Sequence, residues 1–311
     1  MPQQNVIHID QVLTNISIAY FNEDYIATDV LPSVPVQKRS DKYFVYGKEH
    51  MRIRESRVRP GAIADELDYT LSLNNYQAER RSRRHLVLDA EMQQADSPLS
   101  PQADATQLLS ENMLGVLELD VANYLTSSAN LPNYTALSGT SQWSDYVNST
   151  PLSNIKTAKI SVRLNSFKRA NFAIIPYDVA LTLAEHPSIK GLIQYTDPSV
   201  LTESGLPPVI RGLRIIEPGA ALDSSVEGRS FTPSAIWGHN VIIGYRAPTV
   251  GLKTISLGYV FDAPDETTDA RGISTIVYRV DERRGWWIET SRTYDIRVVS
   301  TGAAFLFQTV Y

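Results

Sequence analysis

The stretch Lys42-Tyr-Phe-Val-Tyr-Gly-Lys-Glu-His-Met-Arg-Ile-Arg-Glu-Ser-Arg-Val-Arg59 is basic and β-prone, and it is followed by Pro60-Gly61 and by Leu67-Asp-Tyr-Thr-Leu-Ser-Leu-Asn74. Proline presets φ and glycine accepts positive φ, so Pro60-Gly61 predicts a turn between two strands. The return limb alternates apolar and polar residues and therefore has one apolar face. Because a two-stranded ribbon with one apolar face is marginally stable in water, this face must rest on the body of the chain or on a neighbouring copy. A projecting hairpin over residues 41–84 that needs a neighbour indicates assembly.

The charge of this hairpin is concentrated on its first limb. Between Lys38 and Arg59 there are eight basic and three acidic side chains, and Arg80-Arg81-Ser82-Arg83-Arg84 adds four more cations. Three explanations stay open: pairing with Asp65 and Asp68 inside the hairpin, pairing between subunits, or binding of nucleic acid. The candidate contact residues of the hairpin are Lys48, Arg52, Arg54, Arg57, Arg59, Leu67, Tyr69 and Leu71.

The composition is that of a globular protein with a large core. The chain has 311 residues, 43% of them hydrophobic, and a formal net charge of −5. These values exclude general disorder, and no apolar run is long enough to span a membrane. With no cysteine, disulfides and thiolate metal sites are excluded, which suits a protein made in a reducing cytoplasm. The first residues lack the basic and apolar regions of a secretory signal.

Residues 1–36 predict an arm and not a domain, because their apolar side chains have too little local periodicity. Pro32 and Pro35 stiffen the exit from this arm. Its apolar side chains must pack elsewhere, and contacts between subunits are the expected use. The candidate contact residues are Ile9, Leu13, Ile16, Tyr20 and Phe21.

A long helix is predicted over residues 101–128. Ser100 is a suitable N-cap, and Pro101 stands at the first helical position, where its missing N–H is not needed. Apolar residues then recur at helical spacing and form one stripe. They are Leu109, Met113, Val116, Leu117, Val121, Tyr124 and Leu125. This stripe is expected to lie in the core.

The rest of the chain indicates an α+β fold. Residues 76–98 predict a partly helical link and residues 129–150 a loop, and helices are expected over 151–164 and 177–185. Strands are expected at 172–175, 213–216, 234–237, 241–245, 255–261, 273–280, 286–289, 295–299 and 303–311. Strands that gather after helices, and do not alternate with them, favour α+β over a doubly wound sheet.

The sequence gives little sign of catalysis. It contains no G-x-G-x-x-G, P-loop, H-E-x-x-H or G-x-S-x-G motif, and its five histidines are isolated. The acidic stretch from Asp262 to Asp269 does not match a calcium loop. We therefore expect a solvated or intersubunit loop, with candidate contacts at Asp262, Asp265, Glu266 and Asp269. No catalytic residue, cofactor or metal site is predicted.

The order of these elements resembles that of the major capsid proteins of tailed bacteriophages, which have the HK97-type fold. The ribbon 41–74 is similar to their extended E-loop, and helix 101–128 to the spine helix of their peripheral P-domain. Leu181-Thr-Leu-Ala-Glu-His-Pro-Ser-Ile-Lys190, after Ile175-Pro-Tyr-Asp178, is similar to a passage of their axial A-domain. Gly212-Leu-Arg-Ile-Ile216 and Trp237-Gly-His-Asn-Val-Ile-Ile-Gly-Tyr245 are similar to the A-domain strands that follow.

The resemblance implies an α+β capsid fold divided in a definite order. The N-terminal arm covers 1–36, the E-loop hairpin 37–80, the P-domain 81–150, the A-domain 151–250 and the returning P-domain strands 251–295. Residues 296–311 are expected to join the A-domain sheet. Some relatives crosslink an E-loop lysine to a neighbour, but no acidic catalyst or acceptor asparagine is evident here, and crosslinking is not predicted.

The resemblance implies that the chain is not an enzyme and assembles with itself into hexamers and pentamers of an icosahedral virion shell. Such a shell encloses double-stranded DNA without sequence-specific binding, involves no membrane, and has scaffolding, portal and decoration proteins as further partners. One alternative is an encapsulin-like compartment that holds a cargo enzyme. A more distant alternative is a β-rich hydrolase or carbohydrate-binding protein, with Trp286 and Trp287 lining a cleft with paired carboxylates.

Overall fold

A computed structural model of the chain describes residues 25–46, 53, 57, 61, 63, 71–95, 100–193, 201–223, 225, 228–230, 232–251, 254–263 and 272–311. The helices are α1 (Ala27–Val30), α2 (Asp89–Gln94), α3 (Pro101–Leu125), α4 (Pro151–Ser166), α5 (Tyr177–Glu185) and α6 (Pro187–Ile193). Short 3₁₀ turns occur at Gly139–Ser141, Asp281–Arg283 and Thr301–Ala303. None of the helices in these ranges is long and apolar enough to cross a membrane.

Fifteen strands are described, and they make the expected α+β fold. They are β1 (Ser33–Pro35), β2 (Ser40–Tyr46), β3 (Leu71–Gln77), β4 (Glu79–Leu88), β5 (Tyr134–Ala136), β6 (Phe172–Ile174), β7 (Val209–Ile210), β8 (Leu213–Ile216), β9 (Ala221–Asp223), β10 (Pro233–Ala235), β11 (Val241–Gly244), β12 (Gly258–Asp262), β13 (Ile273–Val280), β14 (Gly285–Val298) and β15 (Ala304–Gln308).

The first sheet is organised by the long strand β14. It pairs antiparallel with β4, β12 and β13, and β1 adds to β12 in parallel. Two sequence predictions are corrected here. The link at 76–98 is mainly strand β4, held to β14 over ten residue pairs, and the separate strands at 286–289 and 295–299 are one continuous strand.

The second sheet has the order β5-β15-β11-β6-β8-β7, with β6 parallel to β8 and β15 parallel to β5. Its central strands β15, β11 and β6 are buried on both faces. Ile174, Ile242 and Leu306 contact the end of α3, whereas Ala173 and Ile243 contact the layer of α4, α5 and α6. The short apolar strands of the second half are therefore the middle layer of a three-layer unit.

The long helix is close to its prediction. It begins at Pro101 as expected and ends at Leu125, three residues before the predicted end. The apolar stripe faces inward along the helix: Leu109, Met113, Leu117, Val121 and Leu125 are all buried.

A buried carboxylate on this helix joins three parts of the chain. Glu118 is fully buried, and its Oε2 accepts hydrogen bonds from the backbone N–H groups of Ile26 (3.0 Å) and Ala27 (2.7 Å). Its Oε1 accepts a bond of 2.6 Å from the indole Nε1 of Trp237. Desolvation raises the pKa of Glu118, although the three donors oppose this shift. One side chain thus fixes the start of α1 and the turn before β11 to the long helix.

Glycine 115 allows the segment before α1 to reach the helix. A Cβ at Gly115 would lie 3.2 Å from the hydroxyl oxygen of Tyr25, and this hydroxyl donates a 2.7 Å hydrogen bond to Glu111 one turn earlier. Ile26, Ala27, Val30 and Leu31 then enter the core against α3. The last part of the stretch 1–36 is therefore anchored in the body of the chain.

We expect Glu118→Gln to lower the free energy of unfolding by about 1–3 kcal/mol, because the new NH₂ group faces a buried N–H donor and leaves it unsatisfied. Denaturant unfolding monitored by circular dichroism measures this loss. Trp237→Phe removes the opposing donor, so the double variant should lose less than the sum of the two single losses. The exposed Gln107→Ala is the control and should change stability by no more than about 0.5 kcal/mol. Strict additivity of the two changes would contradict this account of Glu118.

Candidate assembly interface

The base of the predicted hairpin is an antiparallel ribbon of β2 and β3, paired from Ser40↔Gln77 to Tyr46↔Leu71. One face of the ribbon is rooted in the body. The ring of Tyr76 stacks on Phe261 with centroids 4.8 Å apart, and the ring of Tyr43 lies 5.4 Å from the same phenylalanine. Burial raises the pKa of both tyrosines.

The opposite face of the ribbon is apolar and open. Phe44 stands directly across from Leu73, and Leu71 is two residues before Leu73, so the three side chains share one face. Their exposed fractions are 56%, 50% and 45%. The described part of the body does not cover them. We name these three side chains the outer face of the hairpin.

The structure describes few of the other predicted hairpin contacts. Leu71 belongs to the outer face, and Arg57 is exposed. Lys48, Arg52, Arg54, Arg59, Leu67 and Tyr69 lie outside the described residues, as do the arm residues Ile9, Leu13, Ile16, Tyr20 and Phe21.

Of the four candidate contacts in the acidic stretch, the structure describes only Asp262, and this residue is buried. Asp262 ends strand β12 and is 5% exposed, whereas Asp265, Glu266 and Asp269 lie outside the described residues. The Asp262 carboxylate receives two hydrogen bonds from Arg292 on β14, Nε to Oδ1 at 3.0 Å and Nη2 to Oδ2 at 2.8 Å. The hydroxyl of Ser33 on β1 also donates to Asp262. The structure thus places Asp262 inside its own chain, not in an exposed loop.

This ion pair lies directly behind the root of the hairpin. Asp262 follows Phe261, the residue on which Tyr43 and Tyr76 rest, and Val36 donates its N–H to the carbonyl oxygen of Asp262 at 2.8 Å. A buried pair of charges is costly to desolvate, and removing one partner leaves the other uncompensated. The pair therefore fixes the strands from which the hairpin projects.

The basic segment 80–84 is used largely inside the chain. Arg81 Nε lies 2.8 Å from Asp120 on α3, and its guanidinium stands 4.4 Å over the ring of Tyr294. Arg80 pairs with Glu289 at 3.1 Å. Arg84 stands 4.4 Å over the half-buried Trp287. Arg80 and Arg81 are thus paired with carboxylates of the same chain, and Arg84 packs on an aromatic ring of the same chain.

A buried serine–histidine pair was not predicted from the sequence, and its hydrogen bonds indicate a structural role and not a catalytic one. His186 Nε2 lies 3.1 Å from the Ser149 hydroxyl, and His186 Nδ1 accepts a 3.1 Å bond from the backbone N–H of Ser188. Because Nδ1 is an acceptor, Nε2 carries the proton and donates to Ser149. A nucleophilic serine needs the opposite direction, in which its hydroxyl donates a hydrogen bond to an unprotonated histidine nitrogen. Burial also lowers the pKa of His186, which favours this neutral form.

No metal centre is evident in the described ranges either, since no three His, Asp or Glu side chains there are grouped as metal ligands. The feature of the described residues that stands out is therefore a surface, the open apolar face of a rooted hairpin. The fold behind it has two large sheets joined by one long helix.

Comparison with solved structures identifies this architecture. A phage-related protein from Bordetella bronchiseptica matches with a TM-score of 0.74 at 18% identity, covering 98% of both chains. The capsid of cyanophage P-SCSP1u matches with a TM-score of 0.63 at 11% identity, covering 93% of this chain and 89% of that chain. An encapsulin complex from Synechococcus elongatus matches with a TM-score of 0.56 at 12% identity, covering 91% and 86%. The chain has the HK97-type capsid fold.

Sequence comparison adds curated relatives. The chain is 26% identical over 248 residues to the major capsid protein of Burkholderia phage BcepMu, covering 76% of each chain. It is 29% identical over 247 residues to the major capsid protein of Pseudomonas phage JBD67, covering 76% of this chain and 77% of that one. No family model matches. These relatives confirm the resemblance to tailed-phage major capsid proteins, and they are structural proteins, as expected for a chain that is not an enzyme.

We expect Asp262→Ala to lower the free energy of unfolding by about 3–5 kcal/mol, because it leaves the Arg292 guanidinium buried without its carboxylate. Thermal and denaturant unfolding measure this loss. Asp262→Leu combined with Arg292→Met removes both charges, and the double variant should be more stable than either single change. The exposed Asp281→Ala is the control and should change stability little. A double variant as unstable as the sum of its parts would contradict the charge-burial explanation.

Proposed function

We propose that the chain is the shell-forming subunit of a tailed-phage capsid and that it assembles into hexamers and pentamers of an icosahedral shell. This proposal is supported by the agreement between the fold of the chain and the function of its sequence relatives. The HK97-type fold covers nearly the whole chain, and the curated relatives are major capsid proteins. Self-assembly into a shell and a place in the virion follow from those relatives.

The outer face of the hairpin is the proposed contact with an adjacent subunit. Fully burying a leucine or phenylalanine side chain contributes about 1.5–3 kcal/mol. Phe44, Leu71 and Leu73 are half exposed, so covering each of them can still contribute roughly half of that free energy. A contact of this size is too weak to hold two subunits alone. Repeated around a closed shell, it gives cohesion while each contact remains reversible during assembly.

The remaining contact residues are proposed from the sequence. The arm residues Ile9, Leu13, Ile16, Tyr20 and Phe21 would contact neighbouring subunits, and so would the acidic residues Asp265, Glu266 and Asp269 with the basic limb of the hairpin. The proposed further partners are double-stranded DNA, held without sequence-specific binding, and portal, scaffolding and decoration proteins. Synthesis in the host cytoplasm belongs to the same proposal.

An encapsulin-like compartment is the second candidate, because encapsulins have the same fold. The curated phage relatives favour the capsid, since an encapsulin match at 12% identity supports the fold alone. The contents of the particle separate the two candidates. A phage capsid encloses nucleic acid, whereas an encapsulin-like shell encloses a protein cargo.

Electron microscopy of the purified full-length chain tests the proposal. We expect closed shells or capsomer rings, and nuclease-resistant nucleic acid in particles recovered from infected or induced cells. Shells that contain one cargo protein and no nucleic acid would favour the encapsulin-like compartment. A chain that stays monomeric in every condition that supports assembly of its relatives would contradict both.

We expect Phe44→Asp with Leu73→Asp to give folded subunits that form no shells, because two carboxylates would be buried in the proposed contact. Circular dichroism should stay near native, since both side chains are half exposed in the subunit. Phe44→Leu with Leu73→Met is the matched control, because it keeps an apolar face, and it should assemble. Normal shells from the aspartate variant would show that this face is free in the particle.

A further inference from the structure

The six-stranded sheet carries opposite charges at its two ends. Residues 146–177 contain five Lys or Arg residues and no Asp or Glu, although the whole chain has a net charge of −5. These five are Lys156, Lys159, Arg163, Lys168 and Arg169. The fold decides which of these cations lie together on the surface.

Three of these cations lie along helix α4. Lys156, Lys159 and Arg163 are spaced at i, i+3 and i+7, so they share one face of the helix. The buried residues Ile155, Ala158 and Val162 face the sheet. The charged side chains therefore point away from the core.

Helix α4 packs on one face of the sheet, and its C-terminal half reaches the end at which β6, β8 and β15 begin. Near its C-terminus, the backbone of Asn165 meets Gly302 just before β15, where an added Cβ would lie 2.7 Å from the Asn165 carbonyl oxygen. Six residues earlier, Lys159 donates to the carbonyl oxygen of Arg211, in the turn before β8. The C-terminal half of α4 therefore lies at the end of the sheet where β8 and β15 begin.

The strand termini add further cations at this end. Arg214 donates its N–H to the carbonyl oxygen of Asn171 at 3.0 Å, and the Asn171 side chain accepts from the N–H of Arg246 at 2.9 Å. Asp29 is the acid that reaches them, 2.7 Å from Arg246 and 3.4 Å from Arg214. We name this surface the basic end, and its members are Lys159, Arg163, Lys168, Arg169, Arg211, Arg214 and Arg246.

Carboxylates lie at the other end of the same strands. Because β6 and β8 are parallel, both run from the basic end toward one opposite end. There, Asp178 follows β6 in the first turn of α5, and Glu217 follows β8 directly. The two segments are joined by the N–H of Tyr177, which donates to the carbonyl oxygen of Pro218 at 3.2 Å.

A third carboxylate belongs to this group. The hydroxyl of Thr202 donates a 2.7 Å hydrogen bond to Glu217, and this places the exposed Glu203 beside it. We name Asp178, Glu203 and Glu217 the acidic end. The positive and the negative surface are thus separated by the length of the strands.

We propose that the basic end of one subunit docks against the acidic end of the next subunit around a capsomer ring. This inference rests on the proposed function, since it assigns the surfaces by which the self-assembling chain meets its neighbour. Two different patches on one chain make a head-to-tail contact, and such contacts generate rings when the rotation closes. Opposite potentials steer the encounter and fix its register.

The contact should be sensitive to salt and tolerant of single changes. Exposed charge pairs are individually weak and are screened within about 8–10 Å at moderate ionic strength. Several pairs must therefore act together, which the number of cations at the basic end provides. This kind of contact sets orientation and rate of association, while apolar contacts supply cohesion.

A charge exchange between the two ends tests the proposal in the full-length chain. The first variant carries Arg163→Glu and Arg169→Glu, the second carries Asp178→Lys and Glu203→Lys, and the third carries all four changes. Each of the first two places like charges in contact and should reduce the assembled fraction at least about ten-fold at low salt. The third restores complementarity with the signs exchanged and should assemble again.

Mixing the first two variants gives an independent readout. In a ring that alternates the two variants, each contact joins an unchanged basic end to an unchanged acidic end, or a reversed basic end to a reversed acidic end. The two ends therefore carry opposite charges at every contact. Such a ring closes only with an even number of subunits. We therefore expect the mixture to form hexamers but no pentamers, and hence no closed icosahedral shells.

Conservative variants control for the side chains themselves. Arg163→Lys with Arg169→Lys, and Asp178→Glu with Glu203→Asp, keep the charges and should assemble normally. Circular dichroism of every variant checks the fold of the subunit.

Three results would overturn the inference. The first is normal assembly of both reversed variants, and the second is failure of the four-fold variant while its subunits remain folded. The third is normal assembly of the first variant with loss of salt-dependent binding to non-specific duplex DNA, because the basic end would then face nucleic acid. The unaltered chain is assembled in parallel, so failure of the proposed function itself would appear there.

Discussion

The buried carboxylate of Glu118 is the interaction on which the arrangement of the chain depends. Glu118 lies on the long helix where the start of α1 and the turn before β11 meet it. Its carboxylate accepts two backbone hydrogen bonds from the start of α1 and one from the Trp237 indole in the turn. An apolar residue would fill the same space but would leave three donors unsatisfied. Burial disfavours the charged carboxylate and raises the pKa of Glu118, and the three donors oppose this shift by stabilising the charge.

The hairpin has one face that is fixed to the body of the chain and one face that is open. Behind the ribbon, the buried pair of Asp262 and Arg292 holds three strands, and Phe261 supports Tyr43 and Tyr76. In front of it, Phe44, Leu71 and Leu73 remain half exposed. Strong interactions therefore determine where the ribbon begins, and weaker ones are left for its partner. A shell subunit benefits from this arrangement, because contacts that are individually modest allow a wrongly placed subunit to dissociate.

Local signals predicted some elements closely and others poorly. The helices that begin at Pro101 and Pro151 were located because proline at the first helical position is a strong start signal, and both helices begin there. The strand at 79–88 was missed because its exposed arginines hide the alternation of a strand. Its conformation comes from pairing with β14, which is distant in sequence. Asp262 was expected in a loop for a similar reason, since its neighbours are acidic and its partner Arg292 is 30 residues away.

The sequence by itself determined the class of fold, the long helix, the hairpin with one apolar face and, through the order of these elements, the resemblance to capsid proteins. These properties depend on residues close together in the chain, where turn chemistry and periodicity act. Only the tertiary structure decided which charges are buried in pairs, that the Arg80–Arg84 segment is largely used internally, and that the six-stranded sheet has a basic and an acidic end. Charge pairing and the ends of parallel strands are set by residues far apart in sequence, and their positions follow only from the folded sheet.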